Sequence, residues 1–210
     1  MLPPEIPLFP LPQTVLFPSV FLHLHIFEAR YRTMVDTALE GDRLIGMVLL
    51  QPGFKADYEG CPPVYQIGCA GVITHAERLS DGRFNIVLRG IDKFRVVQEN
   101  QGRTYRVARV EALDEMLDDK GRTTLRQQRK RLEAMLVATM ERAGSEPRFP
   151  PAIADEDLVN ALAQYLDLDP IERQALLEHD GALSRCQGLI ELLQMKIMAA
   201  PGAWASKVAH

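Results

Sequence analysis

The dominant spacing of apolar residues differs between the two halves of this chain, and that difference limits the folds open to it. Up to about residue 113 apolar side chains tend to alternate with polar ones, and from about residue 121 they recur every third or fourth position. A period of two belongs to strands and a period near 3.6 to helices. The switch falls across the acidic stretch Asp114-Glu115-Met116-Leu117-Asp118-Asp119. The expectation is an α+β protein with a β domain over 1–115 and a helical domain over 116–210.

In the first half, Phe21, His23 and His25 fall on one side of a strand, with Val20, Leu22, Leu24 and Ile26 on the other. A strand is expected over 44–51, where Leu44 to Leu50 form a continuous apolar run, as in a strand buried on both faces. Further strands are expected over 68–75, 83–88, 93–99 and 104–112. Ser80-Asp81-Gly82-Arg83 joins two apolar segments, and Asp-Gly there is a hairpin signal because both residues tolerate positive φ. Strands at this spacing suggest a small barrel or sandwich. One helix interrupts them. Phe27, Tyr31, Met34, Val35, Ala38 and Leu39 form one apolar stripe, Glu28 lies in the first turn, and Gly41 supplies the stop.

The second half reads as helices. Leu125, Leu132, Met135, Leu136, Thr139 and Met140 mark the first; Leu158, Ala161, Leu162, Tyr165 and Leu166 mark the second. Asp169-Pro170-Ile171-Glu172 combines an Asp cap, a first-turn Pro and a Glu at the third position, a helix start. Cys186, Leu189, Ile190, Leu193 and Ile197 mark the last. Residues 144–154 hold three prolines and no period, which predicts a long loop.

Composition removes several classes. A chain of 210 residues buries roughly 70% of its unfolded surface, enough for a core without staples. No apolar run approaches the ~20 residues of a membrane span. Residues 1–12 hold five prolines and Glu5, unlike a signal peptide. The net charge of -4 argues against a dedicated nucleic-acid binder. It is unevenly placed: residues 1–112 carry 12 basic and 12 acidic side chains, and residues 113–210 carry 12 and 16. Cys61, Cys69 and Cys186 are odd in number and form no C-x-x-C pair, which points to a reducing cytoplasm.

Chemistry is sparse. The sequence has no G-x-x-x-x-G-K-[ST], no G-x-S-x-G and no H-E-x-x-H. His23 and His25 share a strand face, yet nothing nearby completes a metal set, and an ordinary strand face is the simpler reading. Cys61 and Cys69 read as ordinary thiols. Arg122, Arg126, Arg129 and Lys130 lie on or near one helix face, more simply solvated than an anion reader. No catalytic, cofactor or metal residue is expected. The loop 51–63 sets Phe54 and Tyr58 among Pro, Gly and charges. Two readings stay open there: adaptable contacts for a partner, or aromatics folded back on the barrel.

The opening carries a resemblance. Ile6-Pro7-Leu8-Phe9-Pro10-Leu11, then Val15-Leu16-Phe17-Pro18, then Leu24-His25-Ile26-Phe27-Glu28-Ala29-Arg30-Tyr31-Arg32-Thr33-Met34 resembles the start of the Lon protease N-terminal domain. Ser19 stands where that family commonly has glycine. Ile67-Gly68-Cys69-Ala70-Gly71-Val72-Ile73, Asp81 to Gly90 and Lys93-Phe94-Arg95-Val96 resemble its later strands. Ile171-Glu172-Arg173-Gln174-Ala175-Leu176-Leu177-Glu178, with Arg185 after it, resembles its helical end. Together these cover about 6–197.

The resemblance implies a PUA-like β-barrel with one intervening helix, followed by an all-α bundle. In Lon this region recognises and holds substrate polypeptide and helps assemble the hexamer, while the ATPase and the Ser–Lys protease lie further along. The phosphate loop and the proteolytic G-P-S-A-G segment do not occur in these 210 residues, so the likeness is to a stand-alone substrate-binding domain. The expectation is a non-catalytic module for unfolded or partner polypeptides, with Phe54 and Tyr58 as contacts. The alternative is an RNA- or nucleotide-binding PUA-like module. Phe27 and Tyr31 are read as a core-facing staple, and Glu28 and Arg30 as a cap or local ion pair.

Overall fold

The computed structural model describes residues 2–57, 60–100, 103–142 and 153–199. The chain divides into two compact units, Met1–Asp114 and Glu115–His210.

The first unit contains β1 (Glu5–Leu11), β2 (Phe21–Ile26), α1 (Ala29–Glu40), β3 (Leu44–Leu49), a 3₁₀ turn (Phe54–Asp57), β4 (Ile67–Arg78), β5 (Phe84–Asn100) and β6 (Val107–Leu113). Its strands form one six-stranded sheet in the order β2-β5-β4-β3-β1-β6, and β6 also bonds to β5. The pairings therefore run in a ring of β5, β4, β3, β1 and β6, with β2 as an extra strand on β5. Only β1 and β3 run parallel. The α+β class and the barrel-like sheet with one inserted helix match the expectation.

Some local signals behave differently. The two strands expected over 83–88 and 93–99 are one strand, β5. Gly90 lets it run on, because the chain before β2 lies against it: Ser19 donates to the Gly90 carbonyl at 2.9 Å, and Gly90 donates to the Val20 carbonyl at 2.9 Å. A Cβ at Gly90 would lie 2.1 Å from the Phe17 carbonyl oxygen, so no larger residue fits. Pro7 and Pro10 sit inside β1 although proline cannot donate to a ladder. The strand changes partner between them, pairing β6 over Glu5–Pro7 and β3 over Leu8–Leu11. The hairpin is as expected, with Gly82 at φ 81° and the Arg83 N–H donating to Asp81 Oδ1 at 3.1 Å.

The core inside the sheet gathers Ile6, Leu8, Val48, Leu50, Ala70, Phe94, Val96 and Ala108, all nearly inaccessible. β3 is buried on both faces, as its unbroken apolar run predicted. Helix α1 buries Tyr31, Met34, Val35 and Ala38. Phe27 does not join them. It precedes the helix, is 63% exposed and stacks beside the His25 ring at 6.4 Å. Glu28 occupies the N-cap position rather than the first turn and makes no cap bond; its carboxylate accepts from Arg30 Nε at 3.0 Å instead. Gly41 ends the helix with φ -115°, not in the left-handed region.

The second unit has α2 (Asp119–Arg142), α3 (Asp155–Tyr165), α4 (Pro170–Glu178) and α5 (Gly181–Ala199). Except for Ile153 and Ala154, the expected 144–154 loop lies outside the described residues. The start signal of α4 works as read, with the Asp169 N–H donating to Glu172 Oε2 at 2.8 Å. Tyr165 is 67% exposed and leaves the stripe of α3, whose buried side is Leu158, Val159 and Ala163. Sequence period alone misses this because Asn160 and Gln164, though polar, are also buried.

Those buried polar groups collect around Arg185 on α5. Its side chain is fully inaccessible. It donates to the Leu176 carbonyl at 3.1 Å, Asn160 Oδ1 at 2.6 Å and Glu115 Oε1 at 2.5 Å. One guanidinium thus ties α5 to α4, α3 and the segment before α2. Its planar fork suits three partners in different directions. Cys186, the next residue, is also fully buried. Burial, joined by the negative charge of Asp155, pushes its thiol from the ordinary 9.0 to about 11.

Two outcomes follow. Arg185→Met removes a buried cation together with its bonds to the Leu176 carbonyl, Asn160 and Glu115, and should cost about 3–5 kcal/mol in urea unfolding followed by circular dichroism. The Cys186 thiol holds its proton more tightly folded than unfolded. Its contribution is therefore intact below pH 9 and lost as pH rises from about 9 to about 11. The full loss is about 2–3 kcal/mol. Unfolding curves at pH 8 and 10.5 should show this fall, and Cys186→Ala should flatten it.

Candidate functional site

The strand pairing brings cationic and aromatic side chains to one place on the first unit. β5 and β6 pair up to Asn100↔Val107, so the residues between them lie beside the end of β5. Arg103, Thr104, Tyr105 and Arg106 there face Arg30 and Tyr31 at the start of α1 and Gly60 and Cys61 of the 51–63 loop. Together with Glu99 and Asn100 they line a cavity of about 390 Å³. A smaller cavity of about 190 Å³ adjoins it through Arg103 and Tyr105 and is walled by Pro3, Ile6, Pro7, Leu44 and Val107, with Glu5 and Asp42 at its edge.

Each side chain is held by ordinary forces. Tyr31 is buried against Phe9 of β1, with ring centroids 4.5 Å apart. The Arg30 guanidinium lies 4.7 Å over the Tyr31 ring and 2.9 Å from Glu28. Arg106 is only 10% exposed. It pairs with Glu99 at 3.3 Å and donates to the Pro62 carbonyl at 2.7 Å, pinning the end of the 51–63 loop. Arg103 is exposed; it donates to the Tyr105 hydroxyl at 3.0 Å and sits 5.9 Å over that ring.

Phe54 stands in the 3₁₀ turn, half-buried, and packs against the barrel core. Tyr58 lies outside the described residues. The 51–63 loop does border the larger cavity, through Gly60 and Cys61. The Glu28–Arg30 ion pair and the buried Tyr31 were legible in the sequence. Arg103, Tyr105 and Arg106 were not singled out. Their signal was the alternation of cation and aromatic in Arg103-Thr104-Tyr105-Arg106, which a strand reading of 104–112 absorbs.

Other clusters are spent on one another. In the second unit Arg122, Arg126 and Arg129 line a cavity of about 420 Å³. Arg129 is 12% exposed and bonds Asp155 at 2.8 Å and Glu133 at 2.9 Å, and Arg126 reaches Asp155 at 3.4 Å. Burial lowers the Arg129 pKa, but those two carboxylates outweigh it and raise it overall. This face is internally neutralised. On β2, His25 bonds Asn85 at 2.8 Å and Arg83 at 3.2 Å. The side-chain hydrogen bond from Arg83 holds the Asp81 carboxyl below its usual range. Among the described residues no group of three His, Cys, Asp or Glu side chains is placed to hold a metal ion. Among them too, no helix is long and apolar enough to cross a membrane.

Known proteins share this architecture. The crystal structure of a Lon N-terminal domain protein from Xanthomonas campestris superposes with a TM-score of 0.60 at 24% identity, covering 89% of this chain and 97% of that one. The N-terminal domain of the Mycobacterium avium complex Lon protease gives 0.64 at 17% identity, covering 90% and 98%. These likenesses concern the fold. In sequence, the Lon protease of Cytophaga hutchinsonii is 24% identical over 207 residues, 93% of this chain and 24% of that protein. Lon protease 2 of Syntrophobacter fumaroxidans is 29% identical over 188 residues, 84% of this chain and 22% of that protein. The chain thus spans about a quarter of the length of these relatives. The profile of one family runs over both units, from residue 5 to residue 195, and the chain belongs to it: the ATP-dependent protease La (LON) substrate-binding domain family.

Proposed function

We propose that this protein recognises polypeptide segments and performs no catalysis of its own. The observation that carries the reading is the match of the substrate-binding family over residues 5–195. The absence of a phosphate loop and of a G-P-S-A-G segment from the 210 residues is consistent with it. The partners are unfolded or exposed polypeptide segments. Phe54 and Tyr58, on the loop that borders the Arg- and Tyr-lined cavity, are the proposed contacts. Nucleic acid is disfavoured by the net charge of -4. A cytoplasmic setting suits the odd set of three cysteines.

We further propose that 1–115 and 116–210 are separate domains, the first carrying the recognition surface. The acidic residues at the junction favour an exposed connector. Limited proteolysis should cut first near 113–121, in 51–63 or in 144–154. First cuts within β3 or β5 would contradict this arrangement.

Binding is tested by titrating a labelled, reduced and unfolded peptide at low and high salt, with a short RNA as control. The peptide should lose far less affinity at high salt than a phosphate-bound RNA would, because apolar contacts are screened far less than phosphate contacts. Tyr58→Ser should weaken it several-fold without changing the melting curve. Phe54→Ser should weaken it too, but should also cost about 1–2 kcal/mol of stability because the ring leans on the core. Tight RNA binding with a steep salt slope, and none to peptide, would replace this reading with the nucleic-acid one.

A further inference from the structure

Three guanidinium groups line the larger cavity, and they differ in how their charge is met. Arg30 has Glu28 at 2.9 Å and Arg106 has Glu99 at 3.3 Å. Arg103 is met by neutral groups among the described residues: the Tyr105 hydroxyl at 3.0 Å and the face of the same ring at 5.9 Å. It also stands where the two cavities join. The hydroxyl oxygen accepts from Arg103, so its own proton remains to be donated elsewhere. The Tyr105 ring is buried, which fixes the position of that hydroxyl.

We infer that Arg103 and Tyr105 bind a carboxylate of the polypeptide that this module recognises, with an adjoining apolar side chain seated against Ile6, Pro7 and Leu44. The inference rests on the polypeptide-binding reading above and adds the chemistry of the segment. A guanidinium and a phenol O–H together match the two oxygens of a carboxylate, and charge-assisted hydrogen bonds of this kind are the strong ones. Two features favour peptide over nucleic acid. Glu5 and Asp42 edge the neighbouring cavity and repel a run of negative charges. One incompletely neutralised cation suits one carboxylate, whereas a phosphate backbone needs a basic surface.

The test uses the full chain and fluorescence anisotropy. The probes are labelled, doubly capped Ala-Phe-Glu-Phe-Ala, its Gln counterpart, and Ala-Phe-Ala with a free or an amidated C-terminus. The Glu peptide should bind roughly tenfold tighter than the Gln peptide at low salt, and the difference should shrink with salt. Arg103→Gln, at an exposed position, should remove that difference by weakening the Glu peptide about tenfold more than the Gln peptide. Tyr105→Phe keeps the buried ring and should remove part of it, a second readout if the first variant misfolds. A tenfold gain from the free over the amidated terminus assigns the carboxylate to a chain end; a gain confined to Glu assigns it to a side chain. Equal binding of the Glu and Gln peptides with no gain from a free terminus, or equal weakening of both by Arg103→Gln, overturns this inference and leaves polypeptide recognition standing. Failure of every peptide to bind overturns both.

Discussion

The first unit depends on hydrogen bonding along both edges of β5. One edge pairs with β4 from Phe84 to Arg95. The other pairs first with β2, over Phe84 to Arg89, and then with β6, over Lys93 to Asn100. The handover occurs at Gly90, Ile91 and Asp92, where the chain leading into β2 must come close. Glycine at 90 permits it, since a Cβ would strike the Phe17 carbonyl. Without the handover β6 would have no ladder on β5, and the ring through β1 would open. The close approach also sets the cavity, because β6 pairing to the end of β5 is what folds Arg103–Arg106 back beside α1.

Arg185 plays the corresponding part in the helical unit by a different force. A fully buried guanidinium carries a large desolvation cost, offset here by three hydrogen bonds, one to a carboxylate. Such a group adds little net stability over a well-packed apolar one. Its effect is directional: these bonds hold α3, α4, α5 and the Glu115 segment to one guanidinium. Leu132, Leu136, Leu189 and Leu193, buried in the same unit, supply non-directional burial.

The distribution of charge separates structure from recognition. Most cations lining the cavities are engaged locally, and exposed pairs such as Arg78–Asp36 contribute little to stability. Arg103, held by a phenol, contributes less to the fold than Arg106 and is freer to meet a ligand. The half-buried Phe54 packs against the core cluster, so its ring serves the fold as well as the proposed contact.

The class of the fold is legible from residue order, because local period and turn chemistry act over a few residues. The change of period near residue 115, the Asp81-Gly82 turn, the doubly buried run of β3 and the Asp169–Glu172 start are all short-range signals. The family was legible too, from Phe27-Glu28-Ala29-Arg30-Tyr31 and the proline-framed first strand, although those residues mark the fold more than the site. Other features depend on contacts between segments far apart in the chain. Phe27 and Tyr165 carry apolar periodicity yet face solvent, because burial depends on what packs opposite. Pro7 and Pro10 sit within a strand because β1 changes partner there, a property of two distant strands. Arg103 and Tyr105 meet Arg30 and Tyr31 across some seventy residues of chain, and hydrogen-bond register, which no local pattern encodes, is what places them together.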